Sequence, residues 1–200
     1  MFYRATVENN IDPESFGRVQ VRVYGIHDEG SGVSTADLPW AEVSGGTDFG
    51  LVNGVGVTSV LRIGTMVWVF FNNDDYNYPV VFATIKGSSD INDIAKGSYT
   101  NVATLKTASG HIIELGDAAG AERIKITHKT GTSILIDSAG SIIINGVKDN
   151  TFNLVGNSTE TITGNFKETI SGNFEETISG STKSNTGGTS KITASTIYLN

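Results

Sequence analysis

The chain has no cysteine, only three prolines and no run of lysine or arginine. Without cysteine there is neither a disulfide framework nor a thiolate metal site, although this leaves the compartment open. With a formal net charge of −7 and no basic stripe to track phosphates, nucleic acid is a poor partner, and anionic membrane surfaces are disfavoured likewise. No apolar run approaches the roughly 18 residues of a membrane span. The opening MFYRATVENN lacks the basic and apolar regions of a secretory signal, so export by the usual route is not expected.

The scarce residues are also unevenly placed. Of the 17 aromatic residues, 12 precede residue 90, as do Trp40, Trp68 and all three prolines (Pro13, Pro39, Pro79). A conventional core belongs in that part. From Thr151 to Asn200 only 11 residues are Val, Ile, Leu or Phe, so one copy of this segment cannot bury enough apolar surface to offset its ordering entropy. It needs a partner.

From Phe2 to Gly87 the sequence alternates short apolar runs with turn residues, and no helical period is sustained. The runs Phe2 to Glu8, Gly17 to Ile26, Leu38 to Ser44, Thr65 to Phe71 and Pro79 to Ile85 read as strands. In GRVQVRVYGI, Val19, Val21 and Val23 face one side while Arg18, Gln20, Arg22 and Tyr24 face the other, as in a half-buried barrel wall. TMVWVFF is more uniformly apolar and predicts a strand covered on both faces. Five strands in this length fit a small closed barrel of the OB type. Its 5 basic and 10 acidic residues up to Ser88 argue against the nucleic-acid use that this fold often has, and favour a docking domain. The glycine-rich insertion Gly45 to Gly64 has no downstream GKS/T and no βαβ context, so it reads as a β-hairpin arm and not as a phosphate loop.

No constellation of catalytic side chains is visible. Asp74 and Asp75 in FNNDDYNYP read as turn residues. Glu175 and Glu176 are adjacent and point to opposite faces of a strand, so they cannot cooperate as glycosidase acids. His27, His111 and His128 form no His-x-His pair, and a hydrogen-bonding or packing role is expected for His111 and His128. No catalytic residue, cofactor or metal is expected.

After a linker at Ser88 to Asn101, strand signals recur at His111 to Leu115, Arg123 to His128, Ser133 to Asp137 and Ser141 to Asn145. Here the chain resembles the central spike proteins of contractile injection machines, the baseplate spikes of T4-type myoviruses and the VgrG proteins of type VI secretion. The resemblance rests on GRVQVRVYGI followed by LPWAEV, on IGTMVWVFF with YPVVFATI, and on TASGHIIELGD with ERIKITHKTGTSILIDSAGSIIING. It covers nearly the whole chain. It implies an all-β protein: an N-terminal OB-fold barrel (1–87), a linker (88–101) and a trimeric, intertwined (triple-stranded) β-helix needle (102–200). T4-type spikes carry a lysozyme domain between barrel and needle, where this chain has the 14 residues 88–101. VgrG proteins carry a hub region before the barrel, where this chain starts at the barrel. Hydrolysis or a hub-ring role is therefore expected of other proteins.

From about residue 147 the chain repeats in octads. Gly156, Gly164, Gly172 and Gly180 are eight apart, and so are Leu154, Ile162, Ile170 and Ile178, which is the signature of a stacked architecture. Three chains wound together close a prism, pair one another's strand edges and bring the apolar rows to a common axis. Leu154, Ile162, Phe166, Ile170, Phe174 and Ile178 are the expected trimer core. Glu160, Glu168 and Glu176 are expected near corners or in a hydrated layer, since buried carboxylates are costly. Roughly a dozen strands at about 4.8 Å each would make a shaft of about 60 Å.

The expectation is a non-enzymatic homotrimeric spike in a virion's tail baseplate, made in the host cytoplasm. It would dock hub proteins through its barrel and cross the host outer membrane on sheath contraction. Ile197, Tyr198, Leu199 and Asn200 would seat a PAAR-like tip protein. A VgrG-like secretion spike is the alternative; a trimeric β-helical tailspike acting on polysaccharide is another of a different class.

Overall fold

The computed structural model describes residues 1–27, 32–45, 53 and 55–197. It forms two compact units, Met1–Asn150 and Thr151–Asn200.

The first unit opens with five strands: β1 (Tyr3–Asn9), β2 (Val19–Val23), β3 (Trp40–Val43), β4 (Met66–Phe71) and β5 (Pro79–Thr84). They close into a barrel in the order β1-β2-β3-β5-β4. β1 pairs antiparallel with both β2 and β4, and a parallel β3–β5 pair completes the ring. This is the five-stranded arrangement of an OB barrel.

Alternation builds its interior. Val19, Val21 and Val23 of β2, Val67 and Val69 of β4, and Ala5 and Val7 of β1 are fully buried, joined by Ala41, Phe71 and Val81. Every second residue points inward because the strand period is two, and a β-branched valine fills the narrow lumen in its preferred rotamer.

The outer face of β2 departs from the simple alternation. Gln20 is buried: its amide donates to Leu38 O at 2.5 Å and its Oε1 accepts from Asn9 Nδ2 at 2.8 Å. Arg22 donates to both Glu8 carboxylate oxygens, to His27 O and to Val33 O. The chain on either side of the 3-10 turn Thr35–Asp37 therefore covers this face, and polar side chains hold it by satisfying backbone carbonyls. On β4, Met66, Trp68 and Phe70 are only partly buried, with Phe70 ring-packed against Phe2 and Phe82. That strand is covered less completely on its outer face than its composition predicts.

The Asn72–Asp74 turn joins β4 to β5, and Asn73 and Asp74 both take positive φ there. FNNDDYNYP is a turn, as its Asn and Asp content indicates. Of the arm expected at 45–64, residues 46–52 and 54 lie outside the described residues, and 56–64 form no strand.

Between barrel and second sheet lies a short helix, α1 (Asp93–Gly97), where the sequence suggested only a linker. Asn92 caps it by accepting from Ala95 N at 3.0 Å, and its amide donates to Thr104 Oγ1 at 2.6 Å. The cap thereby ties the connection to the next strand.

Five more strands follow: β6 (Val102–Lys106), β7 (Ile112–Gly116), β8 (Arg123–Thr127), β9 (Ser133–Ile136) and β10 (Ile142–Asn145). They form an antiparallel meander in which each strand pairs with its sequence neighbours. Tight turns connect them, as at Gly131 (φ +100°) and Gly140 (φ +82°), whose positive φ suits a residue without Cβ.

In the second unit the described residues contain no helix or strand, and every side chain is exposed. The path is nevertheless regular. The backbone bends at 155–156, 163–164, 171–172, 179–180 and 187–188, once per octad.

Candidate functional site

The second sheet has two chemically distinct faces. In-register pairing places Leu105, Ile113, Ile126, Ile134 and Ile144 side by side in one row. Ala103, Leu115, Ile124, Ile136 and Ile142 form a second row on the same face. The nine large aliphatic residues among them are between 37% and 68% exposed. Since full burial of such a side chain is worth about 1.5–3 kcal/mol, on the order of 10 kcal/mol of transfer free energy per chain is unrealised on this face. A contiguous apolar sheet face of this kind marks an interaction surface.

The opposite face is mixed, with Val102, Ile112, Leu135 and Ile143 set among charged and polar residues. Glu114, with its side chain 7% exposed, accepts from Arg123 Nε at 2.7 Å and pairs with Nη2 at 2.5 Å. Arg123 reaches it by lying over Gly116, where an added Cβ would meet Arg123 Cγ at 3.1 Å. One side of the sheet is thus internally satisfied, whereas the other is not.

The octad segment carries the same lack of cover further. Leu154, Ile162, Ile170 and Ile178 are 50%, 45%, 44% and 46% exposed, and Phe166 and Phe174 are 67% and 65% exposed. The near-constant values show that the repeat holds each equivalent side chain in an equivalent setting. Among the described residues from 151 to 197, no hydrogen bond or ion pair joins two residues of the segment. An extended backbone that leaves its donors and acceptors unpaired over this length is a template for pairing with other chains. Of the expected tip-docking residues, Ile197 is half exposed, and residues 198–200 lie outside the described residues.

The nine aliphatic residues of the sheet face were not singled out from the sequence, although the signal is there. ELG-, RIKIT-, SILI- and IIIN-type segments each place an apolar residue at alternate positions, and only the register shows that these coincide on one face.

The charged residues of the barrel serve its architecture. Asp12 accepts from the Arg18 guanidinium at 2.8 and 3.1 Å and from the backbone N–H groups of Glu14, Phe16 and Arg18. Arg18 above all, with those amides, holds its carboxyl well below the usual carboxylate range. Arg22, with Thr35, lowers Glu8 against an opposing effect of burial. Burial keeps the His27 imidazole below its ordinary pKa. Among the described residues no group of three or more His, Asp or Glu side chains is placed to hold a metal. No helix among them is long and apolar enough to cross a membrane.

His111 and His128, 17 positions apart in sequence, are brought together, with ring centres 4.5 Å apart. His128 Nδ1 lies 2.8 Å from Thr130 Oγ1.

The barrel falls into a known class. Residues 3–85 match the type VI secretion system/phage-baseplate injector OB domain, a span that runs from the first residue of β1 to just past β5. A shorter stretch is similar to a particular protein, the pre-baseplate central spike protein Gp5 of Enterobacteria phage T4, at 44% identity over 45 residues. That stretch is 22% of this chain and 8% of the T4 protein. The domain similarity points to a structural role in an injection baseplate.

Proposed function

We propose that this chain is the central spike of a contractile injection machine, a homotrimer whose barrels dock on baseplate hub proteins and whose octad segments wind into a β-helical needle. The observation that carries this reading is the segment 151–197, which bends once per octad, buries no side chain and makes no internal hydrogen bond. An ordered path without internal bonds is stabilised only when other chains supply the missing partners. Two further copies of the same octads offer matching strand edges and matching rows at Ile162, Ile170 and Ile178.

The apolar face of the second sheet offers a second surface for the same assembly. Its aliphatic rows give the trimer a hydrophobic driving force that the threonine-rich octads supply only sparsely. Function then follows from mechanics. Sheath contraction would drive the spike through the outer membrane, and a shaft whose backbone groups are all paired between chains resists bending. In a virion it would sit at the tail tip with a PAAR-like protein on its C-terminal end, and hydrolysis of peptidoglycan would fall to another component. The matched domain is shared by phage baseplates and type VI secretion, which supports a VgrG-like secretion spike as the second reading.

Mass by light scattering tests the assembly. Three times the 21.2 kDa of one chain is expected, and a monomer at micromolar concentration would overturn the proposal.

A further inference from the structure

The register that builds the apolar face also ends it in a different chemistry. Ile112 pairs with Thr127, so the next step outward sets His111 directly opposite His128. Their backbone groups bond outward, Thr107 N to His111 O at 2.9 Å and His128 N to Thr132 O at 2.8 Å. The two histidines therefore form a pair without hydrogen bonds between their own backbones, the closer of the two antiparallel pair types. Their ring centres are 4.5 Å apart with the planes tilted by 50°.

We propose that His111 and His128 form a two-nitrogen chelating site for a first-row divalent transition ion such as nickel, copper or zinc, with water in the remaining positions. Three observations converge on it. First, the spacing fits: an ion about 2.1 Å from one nitrogen of each imidazole, about 3.2 Å from each ring centre, sets those centres about 4.5 Å apart when the two bonds meet at a right angle. Second, His128 has an orienting partner. With Nδ1–H donating to Thr130 Oγ1, Nε2 is left as the free lone pair, the arrangement that metal-ligating histidines adopt. The Thr130 N–H lies 3.3 Å from the same Nδ1 and donates to it in the other tautomer, so the ion selects between the two. Third, the His111 ring makes no hydrogen bond among the described residues, and its nitrogens are available.

Imidazole nitrogen is the ligand type that favours these ions over magnesium or calcium. The absence of cysteine removes thiolates as competing ligands. A bound ion would pin the β6–β7 turn to the β8–β9 turn, and by binding only the folded sheet it would raise its stability by mass action. Both ligands come from one chain, at the end of the face that the proposed trimer would cover.

Calorimetric titration of the full-length protein with nickel chloride tests it. One ion per chain is expected. His111→Asn or His128→Asn should weaken binding at least about tenfold, Thr130→Val by a smaller factor, and His27→Asn should leave it unchanged. Saturable binding that survives the His111→Asn/His128→Asn double substitution, or no saturable binding at all, would show that the rings merely pack. A readout that needs no variant is spin-echo modulation of the copper-loaded protein: two coordinated imidazoles are expected, and one or none overturns the site.

Discussion

The barrel and the second sheet are both five-stranded and largely antiparallel, yet they treat their apolar residues in opposite ways. In the barrel Val7, Val19, Val21, Val23, Val67 and Val69 have no solvent exposure, whereas the least exposed isoleucine on the open face of the second sheet, Ile136, keeps 37%. Closure makes the difference. A barrel turns its inner face upon itself and has no edge, while a meander of the same size has a face and two edges still to be covered. One region is complete as a single chain, and the other has the composition of half an interface.

Substitutions can break this contrast. The largest effect is expected for Val69→Asp: an unpaired carboxylate in the closed lumen costs upwards of about 4 kcal/mol, comparable with the whole stability of a small domain. Circular dichroism should show the barrel unfolded at room temperature; a cooperative melt near that of the parent would mean that the lumen is not the core.

Ile126→Asp should act differently. Ile126 is 48% exposed in one chain, so the substitution should leave the barrel folded and cost the single chain little. In the assembled spike the same carboxylate would be buried, and light scattering should fall from three chains to one. An intact trimer would show that this face is solvated in the assembly.

The smallest effect concerns charge within the barrel. The carboxyl of Asp12 titrates below its ordinary range in the folded chain, so its contribution to stability is present above about pH 4. It is lost as the pH falls from there through the depressed folded value. Asp12→Asn should lower the melting temperature by a few degrees at pH 6 and flatten its decline below pH 4. An unchanged acid limb in the variant would assign that decline to other carboxylates such as Glu8.

Much of this was legible in the sequence because period-two patterning is a local property. Val19, Val21 and Val23 announce the inner face of β2, and the edges of that strand and of the others fall within a few residues of their turn signals. The cover over Gln20 and Arg22 was not legible, since it depends on the carbonyls of His27, Val33, Ala36 and Leu38 meeting these side chains. The helix α1 is too short to leave a periodic trace and stands on one Asn92 cap. β6, which no strand signal marked, has only Val102 and Leu105 as large apolar residues and takes its place by pairing with β7. The His111–His128 pair was invisible for a related reason: their meeting depends on the length of the turn between β7 and β8. The octads were the reverse case, since the glycine spacing alone foretold the places where the backbone bends.

Those bends have an evolutionary corollary. A path that repeats every eight residues makes length a countable trait, because whole copies can be gained or lost by unequal recombination with every surviving contact reproduced in kind. A change of four residues would exchange corners for straight segments. Chains of this design should therefore differ in reach by integral steps, and the near-identity of GNFKETIS and GNFEETIS is what one such duplication would leave behind.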